Sequence, residues 1–121
     1  MALIATTAIT EAAALLDLEG AFTAAAGGGD TVTYTDRSFI AVKNGSGSPI
    51  TVTVAKQTNP SPLSGFGAVT KANFTMTIAA GDIGISPMFN QCFKNASGLL
   101  AVTYSSATDV SLKAFSMEAL T

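Results

Sequence analysis

From Asp30 onward, apolar and polar residues alternate along the chain with a period of two. Residues 50–54 (Ile-Thr-Val-Thr-Val) show this pattern most clearly, and residues 74–78 (Phe-Thr-Met-Thr-Ile) repeat it. Because successive side chains of a strand point to opposite faces of a sheet, the alternation predicts half-buried strands. Residues 39–43 (Phe-Ile-Ala-Val-Lys) have apolar residues at both odd and even positions, which predicts a strand that is covered on both faces.

Clusters of Gly, Pro, Asn, Asp and Ser separate these segments at short intervals and predict turns. The clusters lie at residues 44–49, 59–62, 80–82, 95–98 and 105–109. Six to eight short strands punctuated in this way predict an all-β fold, an antiparallel β-sandwich of the jelly-roll-like type. The predicted core consists of apolar strand residues: Val32, Tyr34, Ile40, Val42, Ile50, Val52, Val54, Phe74, Met76, Ile78, Leu100, Val102, Val110 and Leu112.

Residues 1–26 follow a different pattern, and we assign them to an N-terminal arm that precedes a sandwich domain over residues 27–121. Residues 10–20 offer an N-cap threonine, strong helix formers and a closing glycine, which together predict a short helix. An extended arm is the alternative, because the amphipathic stripe covers barely two turns. The three consecutive glycines at 27–29 predict a flexible hinge between the arm and the sandwich.

Six large apolar residues outside the predicted core are candidates for binding a partner. Residues 2–10 contain no charge and no glycine, so this part of the arm suits either a partner's surface or the chain's own sandwich. Residues 57–73 predict a protruding loop, whose phenylalanine either covers the core or contacts a partner. The candidates are Leu3, Ile4, Ile9, Leu15 and Leu16 in the arm and Phe66 in the loop.

The composition favours a protein whose surface is largely covered by other subunits. Charged residues make up 12% of the chain and the formal net charge is −2, whereas soluble domains carry about 25% charged residues. Little surface charge and strands that are apolar on both faces predict a homo-oligomer, and we expect a homotrimer. The six basic residues are spread along the sequence without forming a basic patch, so we expect no nucleic-acid partner.

The residue types on which hydrolytic catalysis and metal binding most often depend are scarce. The chain contains no histidine and a single cysteine, Cys92, which excludes Ser-His and Cys-His arrangements and an internal disulfide. We expect Cys92 to be a buried apolar residue. Asp30, Asp36, Asp82 and Asp109 have turn-like surroundings, where a carboxylate ordinarily accepts hydrogen bonds from nearby backbone amides. We therefore expect no enzyme activity, no metal and no other cofactor.

The sequence also indicates where the protein is made. The first basic residue is Arg37, so the positively charged start of a signal peptide is absent. No apolar run approaches the roughly 20 residues that a membrane-spanning helix needs. We expect synthesis in a cytoplasm and no membrane partner.

Three segments, in their order along the chain, resemble small structural proteins of tailed-phage particles. Residues 37–54 combine a strand ending in Lys-Asn-Gly, a Ser-Pro turn and a Thr/Val-alternating strand. Residues 77–87 contain an Ala-Gly turn followed by Gly-Ile-Ser-Pro, and residues 99–104 read Leu-Leu-Ala-Val-Thr-Tyr. The resemblance covers roughly Gly27 to Met117. Proteins of this kind look like jelly-roll or related β-sandwich units that often form trimers on the outer surface of the capsid lattice.

This resemblance implies a capsid decoration or cement protein of the virion, made in the cytoplasm of a bacterial host. Its implied partners are the major capsid protein and further copies of the chain. The alternative is a receptor-binding or fibre-associated module, in which the loop at residues 57–73 contacts a host surface. The number of copies per particle separates the two, because a decoration protein is present in many more copies than a fibre module.

Overall fold

A computed structural model describes residues 3–4, 6–9, 22–35, 37–57, 72–89 and 91–117. Ten strands and one short 3-10 helix, Gln91–Phe93, form within these residues. The strands are β1 (Leu3–Ile4), β2 (Thr6–Ile9), β3 (Thr23–Ala24), β4 (Asp30–Thr33), β5 (Ser38–Asn44), β6 (Ile50–Val54), β7 (Phe74–Ile78), β8 (Ile83–Ile85), β9 (Leu99–Tyr104) and β10 (Val110–Met117).

The strands form two sheets, which we call sheet A and sheet B. Sheet A has the order β1-β4-β9-β6-β7, and sheet B has the order β2-β10-β5-β8, with β3 also paired to β10. Most neighbours are antiparallel, but β1 runs parallel to β4 and β2 runs parallel to β10. The predicted all-β sandwich is confirmed, with two mixed sheets in place of purely antiparallel ones. Its assignment to the jelly-roll type stays a prediction.

The core lies between the sheets and consists mainly of the apolar residues of the alternating segments, as the sequence predicted. Eleven of the fourteen predicted core residues are buried, and the other three, Tyr34, Phe74 and Met76, are partly buried and pack against them. In β6, for example, Ile50, Val52 and Val54 are buried while the intervening threonines are half-buried. The side-chain period of two therefore determines the core directly.

Several core residues lie in segments without alternation. Ile4 of β1 is buried, and so are Phe89, which precedes the 3-10 helix, and Phe93, its last residue. The ring of Phe89 stacks edge-to-face on Phe74 and on Phe93, with centroid distances of 5.5 and 5.3 Å. These aromatic contacts close the core beside β7. Cys92 is buried, as the sequence predicted.

The glycine segment at residues 27–29 forms a turn packed against β9 where the sequence predicted a hinge. Gly29 has a φ of +95°, and a Cβ atom there would lie 2.8 Å from the backbone oxygen of Val102. The Gly29 amide donates to the carbonyl of Ala26 at 3.0 Å. The positive φ and the close approach to β9 explain why this position carries glycine.

The first residues of the arm are part of the sandwich. β1 extends sheet A beside β4, and β2 extends sheet B beside β10. The described part of the arm thus covers the chain's own domain, which was one of the two sequence-based alternatives. The helix predicted over residues 10–20 lies outside the described residues.

The strand order gives the sandwich two opposite edges. We call the edge formed by β1 and β2 the N-terminal edge, because these strands end sheet A and sheet B on the same side. We call the other the β7–β8 edge, because β7 ends sheet A and β8 ends sheet B there. A tight turn joins β7 to β8, with Gly81 at a φ of +81°.

Candidate functional site

The exposed large apolar side chains of the described residues lie at these two edges. Leu3 on β1 is 62% exposed, and Met117, which is 39% exposed, pairs with Ile9 of β2. At the opposite edge, Ile83 and Ile85 of β8 are 46% and 65% exposed. Met88, just after β8, is the fifth such residue, at 53%. These exposed apolar residues make the two edges candidates for contact with other proteins.

The backbone of β8 presents hydrogen-bonding groups at the β7–β8 edge. The Asn44 amide donates to the carbonyl of Asp82, and the Ser86 amide donates to the carbonyl of Ile40, both at 2.9 Å. In an antiparallel pair, only alternate residues bond to the neighbouring strand. The peptide groups of Ile83 and Ile85 therefore point away from β5, and β5 is the only described strand that pairs with β8.

The two isoleucines of β8 lie on the outer face of sheet B. Ile83 is opposite Lys43 and Ile85 is opposite Ala41, whereas Gly84 is opposite the buried Val42. Directly paired residues share a face of the sheet, so Gly84 faces the core and the isoleucines face outward. An apolar outer face at an open edge is the arrangement that most readily accepts a further strand.

Glycine at position 84 allows the two sheets to meet at this edge. A Cβ atom on Gly84 would lie 2.9 Å from Cγ1 and 3.0 Å from Cδ1 of Ile78 on β7. Ile78 is itself buried, so its side chain has little room to move. The contact positions β8 directly against the end of β7.

Asn44 fixes the β7–β8 turn through its side chain and its backbone. Its Nδ2 donates to the carbonyls of Ser48, Ile78 and Ala79 at 2.8, 3.1 and 3.3 Å. Its backbone carbonyl accepts from the amide of Gly81 at 2.8 Å. Since Asn44 is fully buried at the end of β5, these bonds tie both sheets to the same turn. The sequence showed this residue only as part of a hairpin signal.

Two clefts flank β8, and neither contains a group of catalytic side chains. One, of about 250 Å³, lies beside Met88 and is lined by aromatic and apolar side chains with Asn73. The other, of about 260 Å³, lies between β7 and β8, and Asp82 is the one titratable residue that lines it. Among the described residues that line this cleft there is no second acid and no base, so they form no general acid–base pair with this carboxylate.

A polar pair joins the start of β4 to the end of β9 in sheet A. Oδ2 of Asp30 accepts hydrogen bonds from the Tyr104 hydroxyl at 2.8 Å and from the Ala26 amide at 3.1 Å. Burial, and then the hydrogen bond and negative charge of Asp30, raise the pKa of Tyr104 well above its ordinary value. The bond to Ala26 confirms the expected turn role of Asp30. These bonds tie the turn before β4 to the end of β9.

The predicted partner-binding residues have different places in the structure. Leu3 is exposed at the N-terminal edge, and Ile9 is half-buried there. Ile4 packs inside the chain's own core. Leu15, Leu16 and Phe66 lie outside the described residues.

The sequence analysis did not identify Ile83, Ile85 and Met88 as candidates. The available signal was the Ile-Gly-Ile segment between the turn at 80–82 and Pro87, which is too short to show a period.

No protein-family model, curated protein or solved structure matches this chain. Within the described ranges, no group of three or more His, Cys, Asp or Glu side chains is placed to hold a metal ion. No helix in that part of the chain is long and apolar enough to cross a membrane. The two apolar edges are therefore the features on which a functional proposal rests.

Proposed function

We propose that this chain is a capsid decoration or cement protein of a tailed phage. It binds the outer surface of the major capsid lattice and stabilises the head. The observation that carries the proposal is the presence of exposed apolar residues at two opposite edges of one small sandwich. The resemblance of residues 37–54, 77–87 and 99–104 to virion structural proteins supports the choice of a phage capsid as the partner.

Two opposite binding edges suit a protein that links neighbours. A subunit with a single binding surface adds mass to a shell, whereas one with two surfaces connects the subunits on either side of it. Burial of apolar area contributes roughly 25 cal/mol per Å², so each contact is modest, but a lattice repeats the contact many times. Low surface charge is consistent with this role, since charged side chains are costly to desolvate in an interface.

We assign the N-terminal edge to the major capsid protein. β1 pairs with β4 on one side and with no described strand on the other, which is the side that we assign to a strand of the partner. Leu3 adds an exposed apolar side chain on the outer face of sheet A, and Met117 pairs with the half-buried Ile9 in sheet B. Leu15, Leu16 and Phe66 remain proposed contact residues of the same partner.

Self-association is part of the proposal. The low charge favours contacts between copies, and a homotrimer remains the proposed state. The exposed β7–β8 edge is a further surface for contact with another copy. No cofactor and no catalytic step enters this function. The protein acts by occupying positions on the outside of the particle.

The test measures attachment of purified protein to phage heads that lack it. We expect Leu3→Lys to weaken attachment at least tenfold, because a charge replaces an exposed apolar contact, while the fold persists. Thr103→Lys is the matched control, since Thr103 is exposed on β9, which lies at neither edge. Attachment is measured by co-sedimentation with heads, and folding by thermal melting. Failure of the wild-type protein to attach would contradict the proposal.

A truncation is a poorer test than this substitution. Deletion of residues 1–10 removes β1 and β2 and takes the buried Ile4 out of the core. We expect the deletion to destabilise the sandwich, so that loss of attachment would not distinguish a binding role from a folding role.

A further inference from the structure

The sequence around β8 is nearly symmetric about its central glycine. It reads Asp82-Ile83-Gly84-Ile85-Ser86, with the same exposed residue type on either side of Gly84. We propose that β8 pairs antiparallel with β8 of a second copy of this chain, across a two-fold axis at Gly84. The inference deepens the self-association in the proposed function by naming a two-fold contact between copies, which is separate from the contacts within a homotrimer and needs no capsid.

The backbone of β8 supplies matching donors and acceptors for this pairing. The peptide groups of Ile83 and Ile85 point to the open edge, as the bonds of Asp82 and Ser86 to β5 require. Around an axis at Gly84, Ile83 of one copy lies opposite Ile85 of the other. Each such pair exchanges two hydrogen bonds, so the two pairs together make four. Gly84 lies opposite its own copy at the position that makes none.

The residues around β8 restrict the register of the pairing. The next hydrogen-bonded pair would join Gly81 to Pro87 of the other copy. The Gly81 amide is already bonded to the carbonyl of Asn44, and proline has no amide hydrogen. A shift by one residue would place the outward peptide groups of one copy opposite residues of the other copy whose peptide groups are already bonded to β5. The pairing that uses all the outward groups is therefore the one centred on Gly84.

The side chains are complementary in the same register. Ile83 and Ile85 lie on the outer face of sheet B, so in the pair each isoleucine lies beside an isoleucine of the other copy on that face. Four exposed apolar side chains then cover one another across the axis. β-branched neighbours of this kind pack well between adjacent strands.

The charges near β8 permit the pairing. Asp82 is the one acidic residue in this strand and its preceding turn, and it lies opposite Ser86 of the other copy. The two Asp82 residues are four positions apart along the paired strands, or roughly 13 Å at about 3.3 Å per residue. Salt screens charges over about 8 to 10 Å, so their repulsion is weak. Lys43 lies one strand further from the axis than Ile83.

A second copy fits this edge better than an unrelated strand because the β8 segment is complementary to itself. In a two-fold contact, each side must offer what the other side accepts. The Ile-Gly-Ile segment does so with itself, in backbone and in side chains, without any additional residue. The contact is compatible with the proposed trimer, since it can join two single chains or one subunit from each of two trimers.

The register can be tested by disulfide formation between two single-cysteine variants. Both variants carry Cys92→Ala, so that the buried native thiol does not contribute. Ile83→Cys and Ile85→Cys proteins are mixed in equal amounts and mildly oxidised. Directly opposite residues have Cα atoms about 5.5 Å apart, within the disulfide range of about 4.4 to 6.8 Å, whereas like positions are about 7 to 8 Å apart.

We expect the mixed dimer to exceed either symmetric dimer at least tenfold. The matched control is Thr75→Cys with Thr77→Cys, which has the same spacing on the edge strand β7. Random collision gives the mixed dimer twice the amount of each symmetric one. That ratio for the β8 variants, or the absence of dimers, would overturn the proposal.

A second measurement uses proline to remove one edge amide. The Ile85 amide takes no part in pairing with β5, so Ile85→Pro leaves that ladder intact and removes a donor of the proposed contact. Thr77→Pro is the control on β7. The Ser105 amide donates to the carbonyl of Thr51, and the amide of Ala55, just after β6, donates to the carbonyl of Ala101, so the odd-numbered residues of this segment bond on the β9 side. The even-numbered residues of β6 therefore bond β7. Thr77 lies opposite Thr51, so its amide faces away from β6.

We expect Ile85→Pro to lower the dimer fraction at least tenfold in sedimentation, with the control unchanged. Equal dimer fractions in the two variants would overturn the β8 pairing. Attachment to heads is measured separately on the same proteins. If wild-type protein attaches to heads but its β8 strands do not pair, this inference alone is contradicted. If the β8 strands pair but the protein does not attach, the proposed function alone is contradicted.

Discussion

At the scale of single residues, a few buried polar groups hold the sandwich in its specific form. Asp30 and Tyr104 join the glycine turn to β9 through one carboxylate oxygen. Asn44 joins the ends of both sheets to the turn before β8. Buried polar groups are stabilising only when they are bonded, so their positions constrain the backbone around them. Both groups lie near turns, where the alternating pattern gives no guidance.

The Tyr104 hydroxyl predicts a loss of stability at high pH. Its pKa is raised in the folded chain, because burial and the neighbouring Asp30 disfavour the phenolate. The neutral form therefore contributes stability that is fully present below the ordinary tyrosine pKa of about 10 and declines as the pH rises above it. We expect wild type to be more stable than Tyr104→Phe at pH 7, by about 1 kcal/mol for the lost hydrogen bond.

Urea unfolding of both proteins at pH 7 and at pH 11 measures this effect. The advantage of wild type over Tyr104→Phe should shrink or reverse at the higher pH. Because both proteins share every other titrating group, their difference isolates Tyr104. An advantage that is the same at both pH values would contradict the buried Asp30–Tyr104 contact.

At the scale of elements, strand alternation predicted the interior well and the edges poorly. β6 and β7 were evident from five alternating residues each, and their inward positions are those that pack in the core. β1 and β8 have only two and three residues, too few to show a period. Such short strands form because they pair with a neighbouring strand, and a pattern within the two or three residues themselves cannot show which strand that is. The exposed residues of the candidate site lie on these short strands or beside them.

The glycine segment gives a prediction at the same scale. Gly29→Ala introduces a Cβ atom 2.8 Å from the Val102 carbonyl oxygen at a φ of +95°, so we expect it to destabilise the domain by about 2 kcal/mol or more. Gly28→Ala is the matched control, because its Cβ would meet no atom within 4 Å. We expect this change to alter the stability by less than about 0.5 kcal/mol.

Thermal melting of the two variants decides between a packed turn and a hinge. A hinge between arm and sandwich would tolerate both substitutions equally. A much lower melting temperature for Gly29→Ala than for Gly28→Ala is the result that the packed turn requires.

At the scale of the whole molecule, the fold converts a chain with little charge into a sandwich with two apolar edges. Sheet A ends in β1 and β7, and sheet B ends in β2 and β8, so the two edges face opposite directions. The proposed function assigns the N-terminal edge to the capsid and the β7–β8 edge to a second copy. Composition indicated a covered surface, but the locations of the contacts follow only from the strand order.

The central claim is attachment to a capsid lattice, and one measurement tests it most directly. Heads that lack this protein are incubated with purified wild-type chain, and the particles are reconstructed by cryo-electron microscopy. The account predicts added density on the outer surface, repeated with the symmetry of the capsid lattice and contacting capsid subunits through β1 and β2. Density only at the tail or its fibres, or heads that remain bare, would contradict it.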